Sequence, residues 1–300
     1  MKSLIHRRWL RIAVRTLSIF ILIVVLACFV FDHFVQLRDS DEELLSFFKQ
    51  HHIDGRVGYY TAHGRRLRFV SVNADTLPTL LLIHGSPSST SMYKAYFADT
   101  DLRKKFHMLA IDRPGYGYSG LGNPETSIQL QSDMIRPLVD SIYTAHHPIL
   151  VVGFSYGSSI ACRFVMDHPN LADALVLIGP SLAPGEEKTY WITPYIESPA
   201  LQWMVPRIFK TANTEKLAHR KELEKMLPLW DHIHVPVMYL QGANDHLIYT
   251  GNAAFARKHL INAPFLEFHF FKGRSHFIPF SERHAIKKDI LSVYARVKGG

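Results

Sequence analysis

Cysteine is scarce in this sequence of 300 residues, which contains only Cys28 and Cys162, far apart and in no C-x-x-C motif. A disulfide framework and a structural zinc site with cysteine ligands are therefore excluded. Internal repeats and low-complexity tracts are also missing, and no histidines cluster at metal-ligand spacing, so we expect neither a metal nor an organic cofactor. With 47% hydrophobic and 20% charged residues, the chain should form a packed core rather than a disordered or fibrous structure.

Outside the first 15 residues, basic residues only slightly outnumber acidic residues. The formal net charge is +8, from 34 basic and 26 acidic residues, and residues 1–15 hold five of the basic residues and no acidic one. The rest of the chain therefore has 29 basic against 26 acidic residues, an excess of three. Because a nucleic-acid-binding protein concentrates Lys and Arg on its folded body, we expect no nucleic acid as a partner.

An apolar run at residues 17–31, broken only by Ser18, directly follows these basic residues. Its 15 residues would cover about 22 Å as a helix, so a span of the roughly 30 Å hydrocarbon layer must include further residues on either side. Basic residues that precede a single apolar helix tend to stay in the cytoplasm. The pattern predicts a single-pass membrane protein whose N-terminus is cytoplasmic and whose folded body lies on the exported side.

Removal of this segment as a signal peptide is the alternative. A V-x-A pattern typical of a cleavage site ends at Ala27, and Cys28 after it weakly resembles a lipoprotein box. The apolar residues that follow fit neither pattern well, so we favour a retained anchor. We assign residues 1–38 to a basic tip and membrane anchor, and residues 39–55 to a juxtamembrane linker or short amphipathic helix.

Beyond residue 55, short β-rich runs alternate with amphipathic stretches. Residues 56–61 and 65–72 predict an antiparallel pair around a turn at His63-Gly64. Continuous apolar runs predict strands buried on both faces at residues 79–83, 107–111, 149–152, 174–178, 235–240 and 265–270. Helical patterns separate them at residues 129–143, 158–167, 252–259 and 281–297. This alternation predicts an α/β fold with a mostly parallel sheet and helices on both sides.

One connection between predicted strands is much longer than the others. Residues 181–234 form an insertion of 54 residues, and a structureless loop of that length is uncommon. We therefore predict a small helical lid, inserted into a core formed by residues 56–180 and 235–300. The Trp and Tyr residues of the lid should first of all form its own core and only secondarily a substrate pocket: Trp191, Tyr195, Trp203 and Trp230.

The pentapeptide Gly153-Phe154-Ser155-Tyr156-Gly157 lies between a predicted strand and a predicted helix. In this context G-x-S-x-G forms a nucleophile elbow, in which the glycines permit a tight turn that exposes the serine hydroxyl above the sheet. A serine needs a base, and the base needs an acid that orients it. In the chain order serine, acid, histidine, Asp245 and His276 follow the last two predicted strands. We predict that Ser155 is the nucleophile, His276 the base and Asp245 the acid.

The chain has 18 histidines, so the base has to be identified by its position in the predicted fold. His246 is too close to Asp245 in sequence, His269 lies within a predicted strand, and His284 lies in the terminal helix. His276 remains as the histidine in the expected loop.

Two backbone N–H groups are predicted to form an oxyanion hole. One belongs to Tyr156, the residue after the nucleophile, and the other to Ser86, which follows the strand at residues 79–83. Both should point towards the charge that develops on a substrate oxygen during attack by Ser155.

Five motifs together resemble those of the α/β-hydrolase superfamily, over about residues 56–298. They are His84-Gly85-Ser86-Pro87, Asp112-Arg113-Pro114-Gly115-Tyr116-Gly117-Tyr118-Ser119, the serine pentapeptide, and the loops of Asp245 and His276. The resemblance implies an α/β-hydrolase fold. Haloalkane dehalogenases and epoxide hydrolases of this superfamily use an aspartate where this chain has a serine, so the resemblance disfavours those branches. Within the second motif, Asp112 and Arg113 are expected to brace the loop beside the site.

The sequence predicts a membrane-anchored serine hydrolase whose substrate is a small or medium ester, or else an amide. An aminopeptidase resembling proline iminopeptidases is the alternative among enzymes, and it needs an acidic lid residue for the substrate amine, such as Glu186, Glu187 or Glu197. A non-catalytic binding protein of the same fold is the alternative from another class. It should have lost a residue of the triad, whereas this chain has a residue for all three roles.

Overall fold

Eight strands form one sheet in the order β1-β2-β4-β3-β5-β6-β7-β8. The computed structural model describes residues 2–142, 147–186, 188, 191–199 and 201–299. The strands are β1 (Gly55–Ala62), β2 (Arg65–Val72), β3 (Thr79–Ile83), β4 (His107–Ile111), β5 (Ile149–Phe154), β6 (Ala174–Ile178), β7 (Val237–Gly242) and β8 (Leu266–Phe271). β2 pairs antiparallel with both β1 and β4, and the other neighbours are parallel. The predicted α/β architecture is confirmed.

The described residues also form α-helices, some of which cover the two faces of this sheet. They are α1 (Lys2–Phe34), α2 (Asp41–Gln50), α3 (Lys94–Phe97), α4 (Thr100–Arg103), α5 (Ile128–Asp140), α6 (Tyr156–Asp167), α7 (Thr193–Ile196), α8 (Arg207–Met226), α9 (Gly251–His259), α10 (Ile278–Ser281) and α11 (Arg283–Gly299). The predicted helix at residues 129–143 corresponds to α5, and Tyr143 lies outside the described residues.

The continuous apolar strands divide the core into two layers. Successive residues of a strand point to opposite faces, so Leu81 and Ile83 of β3 pack with α5 and α6, whereas Leu80 and Leu82 pack with α2 and α11. All five residues of β3 are buried. This central position explains why the strand is apolar throughout rather than alternating.

Helix α2 packs on the body rather than acting as a spacer. A capping box between Ser40 and Glu43 begins it, which satisfies the first backbone N–H groups of the helix. Its apolar face buries Leu44 and Phe48 in the same core layer as α11. Segment 39–55, predicted as a linker or short amphipathic helix, thus contains a helix that belongs to the packed body, so the body begins upstream of residue 56.

The lid insertion consists mainly of α8, a helix of 20 residues. The prediction that its aromatic residues form a core of the lid is wrong for three of them, because Trp191, Tyr195 and Trp203 are exposed, Trp191 by 81%. Trp230 is buried, but in the core layer of α5 and α6. A lid built around one long helix has no second layer of its own against which aromatic side chains could pack.

Helix α1 extends beyond the predicted apolar run on both sides. Within it, Trp9–Phe34 is the one helix among the described residues that is long and apolar enough to cross a membrane. Its 26 residues correspond to about 39 Å. At its end, Asp32 accepts hydrogen bonds from the backbone N–H of Arg207, at 2.6 Å, and from the guanidinium of the same residue, at 2.9 Å. The apolar helix therefore contacts the first residue of the lid helix α8.

Candidate active site

Ser155 lies at the carboxyl end of the central strand β5, where α6 begins. Its φ of 54° and ψ of −121° are unusual for a residue with a side chain, and such strain is typical of functional sites. The Ser155 N–H donates to the carbonyl of Ile178 at 2.9 Å, which ties the turn to β6. A side chain at Gly157 would collide with the carbonyl oxygens of Ile83 and His84. The sharp strand-to-helix turn predicted for the pentapeptide is present.

His276 and Asp245 meet beside this turn, because the carboxyl ends of the parallel strands β7 and β8 lie at the same edge of the sheet. The distance from His276 Nδ1 to Asp245 Oδ2 is 2.7 Å, and the side chains are only 7% and 1% exposed. The other carboxylate oxygen, Oδ1, accepts from the backbone N–H groups of Leu247 and Ile248 at 2.8 and 2.9 Å. A carboxylate only accepts hydrogen bonds, so His276 donates to Asp245 through Nδ1, and Nε2 is the nitrogen left without a proton in the neutral imidazole.

Ser155 and His276 face a common cavity. Among the described residues no hydrogen bond joins their side chains, and such contacts are often long before substrate binds. The imidazole of His276 stacks on the ring of Phe154, the residue before the serine, with centroids 5.1 Å apart. The structure brings the three predicted triad residues together, and their catalytic roles stay predictions.

The cavity has a volume of about 730 Å³. Four of the predicted site residues line it, namely Ser86, Ser155, Tyr156 and His276. Apolar side chains from the lid and the neighbouring loops form much of the remaining wall, among them Leu37, Met92, Ile196, Phe209, Phe277 and Phe280. Such a chamber suits an apolar group held beside a few polar atoms.

The predicted oxyanion residues flank Ser155. Tyr156 is the first residue of α6, where backbone N–H groups have no partner within the helix. Ser86 follows Gly85, at which an added Cβ would lie 3.0 Å from the Cβ of Ser155. The two residues are therefore near the serine as predicted, and their role as donors to an oxyanion stays a prediction.

A buried polar network behind Ser86 was not predicted. Ser86 Oγ lies 2.6 Å from the hydroxyl of Tyr116, which in turn lies 2.6 Å from Glu215 Oε2. The other carboxylate oxygen of Glu215 pairs with Arg113 at 2.6 Å. The spacing of Thr211, Glu215 and His219 is the sequence signal that could have indicated this network, since polar residues four apart share one face of a helix. All three are buried in the structure.

Arg113 braces the loop that carries Ser86. Its side chain donates to the carbonyl oxygens of His84 and Gly85 at 2.9 and 3.1 Å, and its backbone N–H donates to His84 Nε2 at 3.0 Å. Burial, assisted by the Arg113 charge, holds the pKa of His84 well below its ordinary value, so this imidazole is neutral. Asp112 accepts from the N–H groups of Thr90 and Tyr118, so both residues occupy the bracing position expected for them.

The other histidines considered as the base, and the thiol of Cys162, lie outside the cavity. His269 is paired with Asp289 at 2.9 Å, and His246 is exposed. Cys162 is buried in the core, and burial raises the pKa of its thiol. In the part of the chain that the structure describes, no cluster of three or more His, Cys, Asp or Glu side chains could hold a metal ion.

The acidic residues considered for amine binding do not line the cavity where they are described. Glu197 accepts from the side chain of Asn213 at 2.6 Å, and Glu186 packs against Gly251. Glu187 lies outside the described residues. The charged side chains that do line the cavity are Lys188 and Lys216, together with the imidazole of His276 when it is protonated.

Comparison with known proteins identifies the fold and a family. The model of the alpha/beta hydrolase family matches residues 80–287. A monoacylglycerol lipase of Xenopus laevis is 28% identical over 194 residues, which cover 63% of this chain and 52% of that protein. The chain spans 36–56% of the length of several curated relatives that it matches.

Solved structures resemble the chain over most of its length. A membrane phospholipase A, described as a bacterial virulence factor, has a TM-score of 0.64 at 14% identity and covers 98% of this chain and 100% of its own. A 2-hydroxy-6-oxo-6-phenylhexa-2,4-dienoate hydrolase from Rhodococcus sp. strain RHA1 has a TM-score of 0.63 at 14% identity and covers 81% of this chain and 99% of its own. These likenesses confirm the predicted α/β-hydrolase fold.

Proposed function

The chain belongs to the alpha/beta hydrolase family, and we propose that it is a membrane-anchored serine hydrolase that cleaves a small or medium carboxylic ester. The observation that carries the proposal is the 2.7 Å bond between His276 Nδ1 and Asp245 Oδ2, formed beside Ser155 in one apolar cavity. An ordinary structural histidine would not combine this pairing with a neighbouring serine on a strained turn.

In the proposed reaction Ser155 Oγ attacks the ester carbonyl carbon while His276 Nε2 takes the serine proton. Asp245 keeps the imidazole in the right tautomer and stabilises its positive charge. The N–H groups of Ser86 and Tyr156 stabilise the tetrahedral oxyanion. His276 then protonates the departing alcohol, which leaves an acyl group on Ser155. A water molecule, deprotonated by the same histidine, releases the carboxylic acid, so one ester and one water give one acid and one alcohol.

The apolar wall of the cavity supports an ester with a hydrocarbon acyl group. Two similar proteins, the monoacylglycerol lipase and the membrane phospholipase A, are named for lipid substrates. Leu37 lines the cavity only three residues after α1 ends at Phe34, so the cavity lies close to the end of the proposed membrane span. An acyl ester present in the membrane would have a short path to Ser155.

The membrane part of the proposal concerns α1. None of the residues in the most apolar window of its segment Trp9–Phe34 is buried in the folded chain, as expected for a helix surrounded by lipid. The basic residues that precede it support a cytoplasmic N-terminus and a hydrolase body on the exported side.

An aminopeptidase is not favoured by the cavity. A substrate ammonium group needs an acidic partner, whereas Glu186 and Glu197 do not line the cavity and Lys188 and Lys216 do. Like charges repel at short distance. We therefore propose an ester rather than an N-terminal peptide as the substrate.

A panel of activated esters of graded acyl length tests the proposal. The protein should hydrolyse at least one of them, and Ser155→Ala and His276→Ala should each lose several orders of magnitude in kcat. His269→Ala is the matched control, since this histidine also pairs with an aspartate but lies outside the cavity. Activity that survives in Ser155→Ala, or that is lost in His269→Ala and kept in His276→Ala, would contradict the assignment.

A further inference from the structure

We propose that Glu215 of the lid helix α8 is a positioning residue for the oxyanion hole, and that it acts through Tyr116 on Ser86. The inference rests on the proposed serine-hydrolase function, because it concerns how that reaction obtains one of its two N–H donors. Nothing in the family motifs involves Glu215, which is 99 positions from Tyr116 and 102 from Arg113, the motif residues it contacts.

The directions of the hydrogen bonds follow from the chemistry of the three groups. Glu215 pairs with the guanidinium of Arg113 at 2.6 Å, and a carboxylate in such an ion pair only accepts hydrogen bonds. The single hydroxyl proton of Tyr116 is donated to Glu215 Oε2 at 2.6 Å. The contact of 2.6 Å between Tyr116 and Ser86 must therefore use the proton of Ser86 Oγ. The serine hydroxyl is thereby engaged with the buried Tyr116, which fixes the Ser86 side chain, and its backbone N–H is the predicted donor for an oxyanion.

Both oxygens of the Glu215 carboxylate hold the same loop. Oε2 holds Ser86 through Tyr116, and both Oε1 and Oε2 accept from the guanidinium of Arg113. Arg113 in turn donates to the carbonyl oxygens of His84 and Gly85. One buried carboxylate thereby holds three consecutive loop residues, namely His84 and Gly85 through Arg113 and Ser86 through Tyr116. An oxyanion donor is effective only when it is held in place before the charge develops, so this support should contribute to transition-state stabilisation.

The support comes from the lid, whereas the loop and the nucleophile belong to the core. Glu215 lies on α8, and Arg113 and Tyr116 lie after β4. Four residues further along α8, His219 lies 3.1 Å from the hydroxyl of Ser159 on the helix that follows the nucleophile. The His219 ring also packs against the ring of Tyr156, with centroids 4.4 Å apart, so the lid helix contacts Tyr156 directly and Ser86 through Tyr116. We infer that the oxyanion hole is complete only while α8 is docked on the core.

Tyr116→Phe tests the link with little change in packing. The ring and the Arg113–Glu215 pair remain, and only the hydroxyl that holds Ser86 is lost. We expect kcat for an activated ester to fall about tenfold or more while KM changes less than about twofold, because the lost support matters in the transition state rather than in substrate binding. Phosphonylation of Ser155 by a fluorophosphonate should slow by a similar factor.

Tyr96→Phe is the matched control. Tyr96 is also buried, and its hydroxyl donates to the carbonyl of Pro279 at 2.9 Å, with no link to Ser86. This variant should lower the unfolding temperature about as much as Tyr116→Phe and leave kcat unchanged. An equal loss of kcat in both variants would show a general effect of stability and would overturn the inference.

A double-mutant cycle tests whether Glu215 acts through Tyr116. Glu215→Gln should lower kcat at least as much as Tyr116→Phe, and the double variant should lose no more than Glu215→Gln alone. Losses that multiply would overturn the link between the two residues. Should Glu215→Gln fail to fold, Tyr116→Phe with wild-type kcat would still refute the proposal. If Ser155→Ala is inactive in that case, the proposed function stands and only the positioning role fails.

Discussion

Replacing Asp245 by asparagine should invert the hydrogen bonding of His276 while the fold is retained. Asp245 Oδ1 accepts from two backbone N–H groups, so the amide oxygen of an asparagine would occupy that position. Its NH₂ group would then face His276 Nδ1, at the position where Oδ2 accepts at 2.7 Å. Two donors cannot share a hydrogen bond, so the imidazole would have to place its proton on Nε2.

A histidine protonated on Nε2 cannot take the proton of Ser155. The effect of such a tautomer change on a serine triad is a loss of about 10⁴-fold in kcat, which corresponds to about 5.4 kcal/mol in the activation free energy. KM should change little, because Asp245 lies behind His276 and does not line the cavity.

Steady-state kinetics on an activated ester measure this effect, with circular dichroism as a check on folding. Asp289→Asn provides the control, because Asp289 forms the same kind of pair with His269 at 2.9 Å away from the cavity. We expect full activity in this variant. A loss of less than about tenfold in Asp245→Asn, or equal losses in both variants, would refute the proposed role of Asp245.

Three further predictions concern stability and topology. Leu44→Ala should destabilise the protein by about 2–5 kcal/mol, whereas Leu45→Ala, 45% exposed on the same helix, should have little effect on the unfolding temperature; equal shifts would contradict the packing of α2. Burial lowers the pKa of His107 to about 4 from 6.5, so protonation favours the unfolded chain. The contribution of His107 to the free energy of unfolding should therefore be constant above about pH 6.5 and decrease as the pH falls towards 4. An unfolding temperature that stays constant between these two pH values would contradict this prediction. The full chain should remain with membranes after carbonate extraction, and protease outside the membrane should digest the hydrolase body; digestion only after the membrane is opened would reverse the orientation.

The sheet and the candidate triad were predictable because their signals are local. Most strands are short apolar runs, and Ser155, Asp245 and His276 each follow the end of a predicted strand. The expectation that the last strand is buried on both faces is wrong, because Phe271 alone of the six residues of β8 is buried. The boundary of β7 was less predictable, as it begins at Val237 instead of residue 235. Pro236 has no N–H to donate to a neighbouring strand, so the apolar run is longer than the paired segment.

The network around Glu215 could not be predicted from local pattern. An acidic residue on a long helix is usually exposed, and its burial here depends on Arg113, which is 102 positions away in sequence. The exposure of Trp191 likewise depends on what the lid packs against, which the sequence of the lid alone does not determine. Tertiary contacts of this kind decide burial more strongly than residue type.

Labelling with a fluorophosphonate, followed by peptide mapping, tests the central claim most directly, because a serine hydroxyl is a weak nucleophile unless it is activated as in the proposed triad. We predict one modified peptide, with the phosphonyl group on Ser155. Ser155→Ala should not be labelled and should unfold at the temperature of the unaltered protein. Labelling of a different residue, or labelling that persists in folded Ser155→Ala, would contradict the account of this protein as a serine hydrolase.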